Sequence, residues 1–492
     1  MAFGINTGAN GAQSVPAPSM QTLSSAYIDF TASGTTNWAQ QYVPDLYEKE
    51  AEVFGNRSVS GFLEMVGAEE AMTSDQVVWS EQGRLHIAGT GSMDGTTDGL
   101  MTCETNADGV TATDVGIRTG DMILLSDADQ TIRGYVTDVY GEANSSLTSG
   151  QFQVASYESV TLGLSTTSKA VSFFVFGSEY QKGTTGRENG LTANFKSFKN
   201  QPIIMKDKYE VSGSDASQIG WVEVSGEDGQ NGYLWYLKAA GDTKTRFADY
   251  CEMALVEAVK ANGTSDVNSL TGNLKGTEGL FAAVEDRGHV QYGYQDTLDT
   301  ANTIALTDFD NILKEFDKNG AIEEYMIFAN RSYTLSIDDL LAEMNTQAAG
   351  ATSYGVFNNE ADMALNLGFS GFRRGSYDFY KTDWKYLNDA ATRGGMVDAK
   401  DGLDNANAGA VFGMFIPAGV STVYDQNLGK NLKRPFLHVR YRASATDDRR
   451  FKTWSTGSVG ATTSDLDALE MHFLTERCLV VQGANNFMMI RG

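Results

Sequence analysis

Residues 233–261 read YLWYLKAAGDTKTRFADYCEMALVEAVKA, and this stretch decides the fold. After Leu237, the apolar residues Phe247, Cys251, Ala254, Leu255, Ala258 and Val259 fall three and four apart. That spacing keeps one apolar stripe on one helical face. Asn262-Gly263 supplies a stop, because both residues tolerate left-handed backbone. About 25 residues at 1.5 Å each predict a helix of roughly 35–40 Å. A helix this long acts as a strut for a sheet.

Downstream, Thr307 is placed to cap a helix carrying Phe309, Ile312, Leu313 and Phe316, which Asn319-Gly320 ends. Tyr325–Ala329 reads as a buried strand, and a further helix follows near Ser336 with Ile337, Leu340, Leu341 and Met344. Helix, strand and helix with short joins describe an α/β unit. The last third is read as mostly β. Its strands are Phe369–Phe372, Tyr377–Lys381, Val411–Ile416, Phe436–Tyr441, Leu479–Gln482 and Phe487–Ile490, with a short helix over Asp465–Phe473.

Upstream, Pro44–Glu70 reads as helical through Val53, Phe54, Val59, Phe62, Leu63 and Val66, and Gln76–Ile87 as a strand. Residues 88–185 are rich in Gly, Thr, Ser and Asp. Short strands are expected at Val115–Arg118, Met122–Leu125, Ile132–Tyr140, Phe152–Ser156 and Val171–Phe176. Their spacing suggests a small barrel or sandwich, read as a β module inserted in a long hairpin or as a domain in series. Residues 186–230 read as a polar connector. Its Lys196, Lys199, Lys206 and Lys208 are either solvated or meet an acidic neighbour chain. Residues 1–45 read as an extended arm with isolated anchors Phe3, Tyr27, Phe30, Trp38 and Tyr42, too sparse to make a core.

The 492 residues carry 37 Lys and Arg against 63 Asp and Glu, a formal charge of −26. Such acidity argues against general nucleic-acid affinity and against docking on anionic membranes. Hydrophobic residues make up 41%, enough for a core. Gly is 52 and Pro only 6, so reversals fall to Gly, Asn and Asp, as at Asn189-Gly190 and Asn231-Gly232. Three scattered cysteines, Cys103, Cys251 and Cys478, make no disulfide framework and suit a reducing compartment. No run of about 18 apolar residues is present, so no membrane span is expected.

Searches for chemistry find little. There is no Gly-x4-Gly-Lys-Ser/Thr, and Gly89-Thr90-Gly91 misses the dinucleotide pattern. His86, His289, His438 and His472 lie far apart, and the acidic stretch Asp401, Asp404, Asn405 and Asn407 lacks calcium-loop spacing. No Gly-x-Ser-x-Gly elbow occurs. Glu69-Glu70 and Asp338-Asp339 are adjacent in sequence, so they do not face each other on a helix as an acid/base pair. The expectation is a protein that is not an enzyme and has no cofactor.

The order of elements resembles the major capsid protein of tailed phages, the Hong Kong 97-type fold, with a crAss-like or related phage as one source. The resemblance implies an α+β fold with an N-arm, an extended loop, a long spine helix, and peripheral and axial domains, enlarged by an inserted small β domain. By that layout 1–45 is the arm, 46–75 a helical linker of the peripheral domain, and 76–205 the extended loop with its β domain at about 100–180. The peripheral domain with the spine helix is 206–305, the axial domain 306–420, and 421–492 the return strands. The closing sequence from Phe473 to Gly492 is similar to the last strands of such proteins.

The implied function is self-assembly into hexamers and pentamers of an icosahedral shell around double-stranded DNA. Such a virion protein is assembled in the host cytoplasm. Its partners are itself, scaffold, portal and decoration proteins, and DNA enclosed without sequence-specific binding; a membrane is not among them. Tyr27, Phe30, Trp38 and Trp79 are the expected apolar contacts between subunits, and Arg84, Lys196, Lys199, Arg373 and Arg374 the charged ones. The alternative is a carbohydrate-binding or adhesive β-rich protein of the virion surface.

Overall fold

A computed structural model describes residues 61–63, 68–94, 97–106, 111, 116–142, 145–159, 162, 164, 171–187, 190, 195–214, 234–270, 274–292, 306–319, 322–338, 370–397, 410–418, 420–425, 430–460 and 462–491. The chain divides into two units, Trp79–Phe198 and the sequence on either side of it.

Strands β1 (Ala68–Met72) and β2 (Val77–Gln82) come first. The smaller unit then holds six strands, β3 (Ala88–Met93), β4 (Leu100–Asn106), β5 (Asp121–Ser126), β6 (Thr131–Val139), β7 (Gln151–Ser156) and β8 (Val171–Ser178). They close into a barrel in the order β3-β4-β7-β6-β5-β8, every pairing antiparallel. Alternate residues point inward, as the strand period of two requires. Met101, Ile123, Leu125, Val136, Phe152, Val154, Val171 and Phe173 fill the interior. The rings of Phe152 and Phe173 meet edge to face at 5.4 Å. The four strands expected between 122 and 176 are present. Residues 116–118 are irregular, contrary to the strand expected at Val115–Arg118. β3 and β4 have no counterpart in the sequence reading.

β9 (Phe195–Asn200) pairs with β2, and in the larger unit β10 (Ile203–Ser212) joins a five-stranded sheet. Its other members are β1, β18 (Leu437–Arg442), β19 (Lys452–Gly457) and β20 (Ala468–Val481). β20 is the centre. β10 runs along one side of it, while β18 and β19 share the other. Three readings change here. Ala468–Phe473, expected to be helical, is the start of β20, because two neighbouring strands, β10 and β19, claim its backbone. The end of 46–75 is strand β1, parallel to β18, and residues 62–63 carry the helical turn before it. The connector expected over 186–230 contains β9 and β10, so Lys206 and Lys208 stand on a strand.

Helix α1 (Leu234–Glu257) lies on this sheet. Its 24 residues give a length of about 36 Å. Phe247 and Cys251 pack on Phe473, with Met205, Tyr209 and Phe451 at the margin. Ring centroids of Phe247 stand 5.5 Å from Phe451 and 6.0 Å from Phe473. The helix stops at Glu257, short of the expected Asn262-Gly263, because the next backbone groups find other partners. Ala258 O accepts the N–H of Gly279 at 2.7 Å, and the Ala261 N–H donates to Lys275 O at 2.8 Å.

Helix α2 (Leu280–Arg287), β11 (His289–Gln291) and α3 (Leu306–Asn319) follow. Thr307 lies inside α3 and does not cap it. A six-stranded sheet is completed by β12 (Glu324–Ala329), β13 (Ser370–Arg374), β14 (Tyr377–Asp383), β15 (Val411–Pro417) and β21 (Met488–Arg491), in the order β11-β21-β15-β12-β14-β13. β16 (Val420–Asp425) and β17 (Lys430–Pro435) form a separate antiparallel pair. Every residue of β15 is buried, because both of its faces are covered. Val411, Met414 and Ile416 join a core with Leu255, Phe281, Leu437 and Leu479. Phe412 and Phe415 join another with Phe309, Ile312 and Phe316 of α3. Residues 331–338 are helical, and Asn330 Oδ1 accepts the N–H of Tyr333 at 2.8 Å, capping the turn.

Candidate assembly surfaces

The anchors expected in the arm, Tyr27, Phe30 and Trp38, lie outside the described residues. Trp79 is buried within its own unit. Its Nε1–H donates to Glu81 Oε1 at 2.9 Å, and its ring stands 6.1 Å from Phe198. Lys196 is exposed, with Nζ 5.3 Å above the Phe198 ring. Arg84 is exposed. Lys199 is also exposed, and its carbonyl accepts Lys260 Nζ at 3.1 Å. Arg373 faces Asp378 at 3.4 Å, across the β13–β14 pair. Arg374 reaches Asp310 on α3 at 2.5 Å. The structure thus scatters these residues over several surfaces and gathers no single site from them.

Two surfaces were not singled out from sequence. The first is the outer wall of the barrel. Along β8, Val171 and Phe173 point in, while Phe174 and Phe176 point out at 45% and 46% exposure. Leu124 of β5 and Ala88 of β3 stand beside Phe174 in register. Tyr135 and Tyr157 meet edge to face at 6.4 Å on the same unit. The Tyr157 hydroxyl donates to Glu179 Oε2 at 2.5 Å; burial and that carboxylate push the phenol up to about 12. The signal was available in the run 171–176, which places apolar residues on both faces of the strand.

The second surface is the face of the five-stranded sheet away from α1. In register, Lys208, His472 and Trp454 form one row across β10, β20 and β19, and Glu210, Glu470 and Thr456 the next. Lys208 Nζ donates to Glu210 at 2.8 Å and to Glu470 at 3.0 Å. These two carboxylates raise the lysine, and Lys208 in turn lowers Glu470. The Trp454 ring stacks on His472 at 5.1 Å. Neighbouring residues on a strand alternate faces, so Ile203, Met205, Asp207, Tyr209 and Val211 turn toward α1 and leave this polar row outside.

An open cleft of about 210 Å³ is lined by Thr73, Arg442, Ser444, Asp447 and Arg449. Its guanidiniums are already engaged: Arg442 with Asp75 and Glu476, Arg449 with Glu476 at 2.6 Å. Among the described residues no three or more His, Cys, Asp or Glu side chains gather as metal ligands. Among them too, no helix is long and apolar enough to cross a membrane. The thiols of Cys251 and Cys478 are buried, which pushes them up to about 11 and about 12.

No family model matches the chain, and no curated protein matches it. Among solved structures, the capsid of cyanophage P-SCSP1u aligns with 95% of this chain and 96% of its own, at 8% identity and a TM-score of 0.38. A structure from Microbacterium phage Oxtober96 covers 94% of this chain and 99% of its own, at 8% identity and a TM-score of 0.37. The capsid of a native GTA particle covers 92% and 96%, at 8% identity and a TM-score of 0.32. At such scores the likeness does not by itself assign a fold.

Proposed function

We propose that the chain is the major capsid protein of a tailed phage, with a Hong Kong 97-type fold, and that copies of it form the hexamers and pentamers of an icosahedral shell around double-stranded DNA. One observation carries this reading. The long α1 lies on the β10–β20 sheet, and an aromatic-cored sheet covered by α3 follows it along the chain. That is the order of spine helix, peripheral sheet and axial domain in the resemblance. The barrel at 88–178 then stands as the β domain carried by the extended loop.

In this reading the chain's work is mechanical. Rigid sheets make the tile, and surfaces with no private core meet neighbouring tiles. Obligate interfaces of this kind commonly bury about 2,000–5,000 Å². Arg84, Lys196 and Lys199 are exposed and suit the acidic neighbours that a charge of −26 per copy provides. An acidic inner wall would repel packaged DNA and leave it mobile; a basic inner face on an assembled shell would count against that part. Negative-stain microscopy of the expressed chain tests the whole reading. Uniform particles tens of nanometres across are expected. Monomer alone under varied salt, pH and added scaffold would refute it.

A second reading draws on the barrel wall. Exposed Phe174, Phe176 and Tyr157 form an aromatic surface suited to stacking on sugar rings. Soluble trimers with measurable glycan affinity and no shells would favour an adhesive virion-surface protein.

A further inference from the structure

Between α1 and α2 the chain makes a loop that polar bonds hold in shape. Asn262 organises it. Its Oδ1 accepts the Thr264 N–H at 3.0 Å, the Thr264 hydroxyl at 2.8 Å and the Ser265 hydroxyl at 3.0 Å. Its own N–H donates to Ser265 Oγ at 3.0 Å, and its carbonyl accepts the Asn268 amide. Ser269 Oγ closes the next turn on Asp266 O at 2.6 Å. None of the residues of its 3-10 turn Asp266–Ser269 is buried. Its aliphatic side chains face out instead. Val259 is 70% exposed, Val267 41%, Leu270 56% and Leu274 57%.

Single aliphatic residues on a surface are ordinary, but four on one hydrogen-bonded loop make a patch, and such patches mark contacts. The loop's charge narrows the partner. Lys260, Lys275 and the adjoining Lys199, whose carbonyl Lys260 reaches, outnumber the nearby carboxylates Asp266 and Asp75, the latter close to Lys275. The chain as a whole is at −26. A second copy of the chain therefore offers what this loop lacks, carboxylates around an apolar spot.

We infer that the exposed stretch Val259–Leu270, with Leu274, docks on a second copy of this chain, its aliphatic side chains covered by the neighbour and its lysines facing the neighbour's carboxylates. Two such loops repel each other, so the contact is not loop to loop. It is heterologous, with the loop of one copy meeting a different surface of the next. Heterologous contacts either close into rings or continue as lattices, and a shell needs both. The inference rests on the shell reading and adds to it a place where copies join.

The test uses the full chain and a Leu270→Ser/Leu274→Ser variant, each brought to assembly conditions and followed by sedimentation, negative-stain microscopy and amide hydrogen exchange. Circular dichroism melts of the two should coincide, because both leucines are exposed. Assembled wild-type chain should exchange its 259–270 amides at least about tenfold more slowly than free subunits. The variant should assemble about tenfold less, and Lys260→Glu/Lys275→Glu should weaken assembly likewise. If wild type assembles while the loop's exchange is unchanged and both variants assemble normally, the docking inference falls and the shell reading stands. If wild type never exceeds a monomer, both fall. Protection that appears only on adding double-stranded DNA would also overturn docking on a second copy.

Discussion

The Glu252 carboxylate on α1 accepts the backbone N–H of Leu63 at 3.0 Å, 189 positions earlier in the chain. Its other oxygen accepts the Gly61 N–H at 2.7 Å. One helical side chain thus caps the turn that places Phe62, whose ring stacks on Trp384 at 4.3 Å and meets Phe328 edge-on at 4.7 Å. Glu252→Ala should cost about 1.5–3 kcal/mol, because buried N–H groups lose a charged acceptor. Hydrogen exchange at 61–63 should speed up before the rest of the unit does. Equal exchange in variant and wild type would show that the aromatic stack alone holds the segment.

The same carboxylate predicts a pH effect of defined sign. Burial is the largest influence on Glu252 and raises it above the ordinary glutamate range, against the N–H groups that lower it. The folded state therefore binds a proton more readily than the unfolded state. Glu252's contribution is greatest below its unfolded value and declines as pH rises through the raised folded one. Glu252→Gln should remove that dependence. Melting curves between pH 4 and pH 7 should show wild type losing more stability than the glutamine variant over the upward part of that range.

Phe379 of β14 is fully buried, with Phe372 at 5.2 Å, Phe309 at 5.2 Å and Tyr325 at 6.0 Å. It joins sheet to α3. Phe379→Ala should cost about 3–5 kcal/mol through lost burial and the remaining cavity. Phe379→Leu should recover a large part of this. Urea unfolding read by tyrosine and tryptophan fluorescence checks both; a loss under 1 kcal/mol for the alanine variant would mean the aromatic cluster closes over the gap.

Helices were legible where an apolar stripe repeats, as from Phe247 to Leu255 and from Phe309 to Phe316. Strands were legible where branched or aromatic residues run together, as in Val411–Ile416. β3 was not, because Ala-Gly-Thr-Gly-Ser-Met offers no alternation of size. Two of its three inward positions, Gly89 and Gly91, are glycines for a reason that lies far along the chain. A Cβ on Gly89 would stand 2.8 Å from the Phe173 ring and 2.4 Å from Thr105 O. The segment before Phe473 misled in the opposite way. Its short-range pattern suits a helix, but long-range pairing to β10 and β19 overrides it. The surfaces were least legible. Trp79 meets Phe198 only after the whole barrel has intervened, and the outward turn of Leu270 and Leu274 is invisible in a Gly- and Ser-rich loop.

Gly134 of β6 tests the barrel. A Cβ there would stand 2.2 Å from Val154 Cγ1 and 3.2 Å from Ala155 O. Val154 is almost fully buried and stiff at χ1, so it cannot swing away. Gly134→Ala should cost about 1–3 kcal/mol by overpacking. Val154→Ala introduced with it should cost less than the sum of the two single changes, because the second opens the space the first needs. Exchange rates of barrel amides in the four proteins of this cycle give the coupling; strict additivity would place the strain elsewhere.

His289 opens β11, and its backbone N–H donates to Phe487 O at 3.0 Å. Its Nε2 lies against the Asn319 amide nitrogen, which donates to Asn485 O at 3.0 Å and to Glu315 O at 3.3 Å. Burial lowers the imidazole below its ordinary value; Glu315 and the Asn485 backbone oppose, and Lys318 adds to the lowering. Below the ordinary value of about 6.5 the unfolded chain takes a proton that the folded chain refuses. Stability is therefore complete above that pH and declines as pH falls below it. His289→Gln, which keeps a polar partner for Asn319 and cannot titrate, should melt with a shallower dependence between pH 7 and pH 5. The β11 and β21 amides of wild type should lose protection first on acidification. Identical acid slopes in the two proteins would assign the sensitivity to other groups.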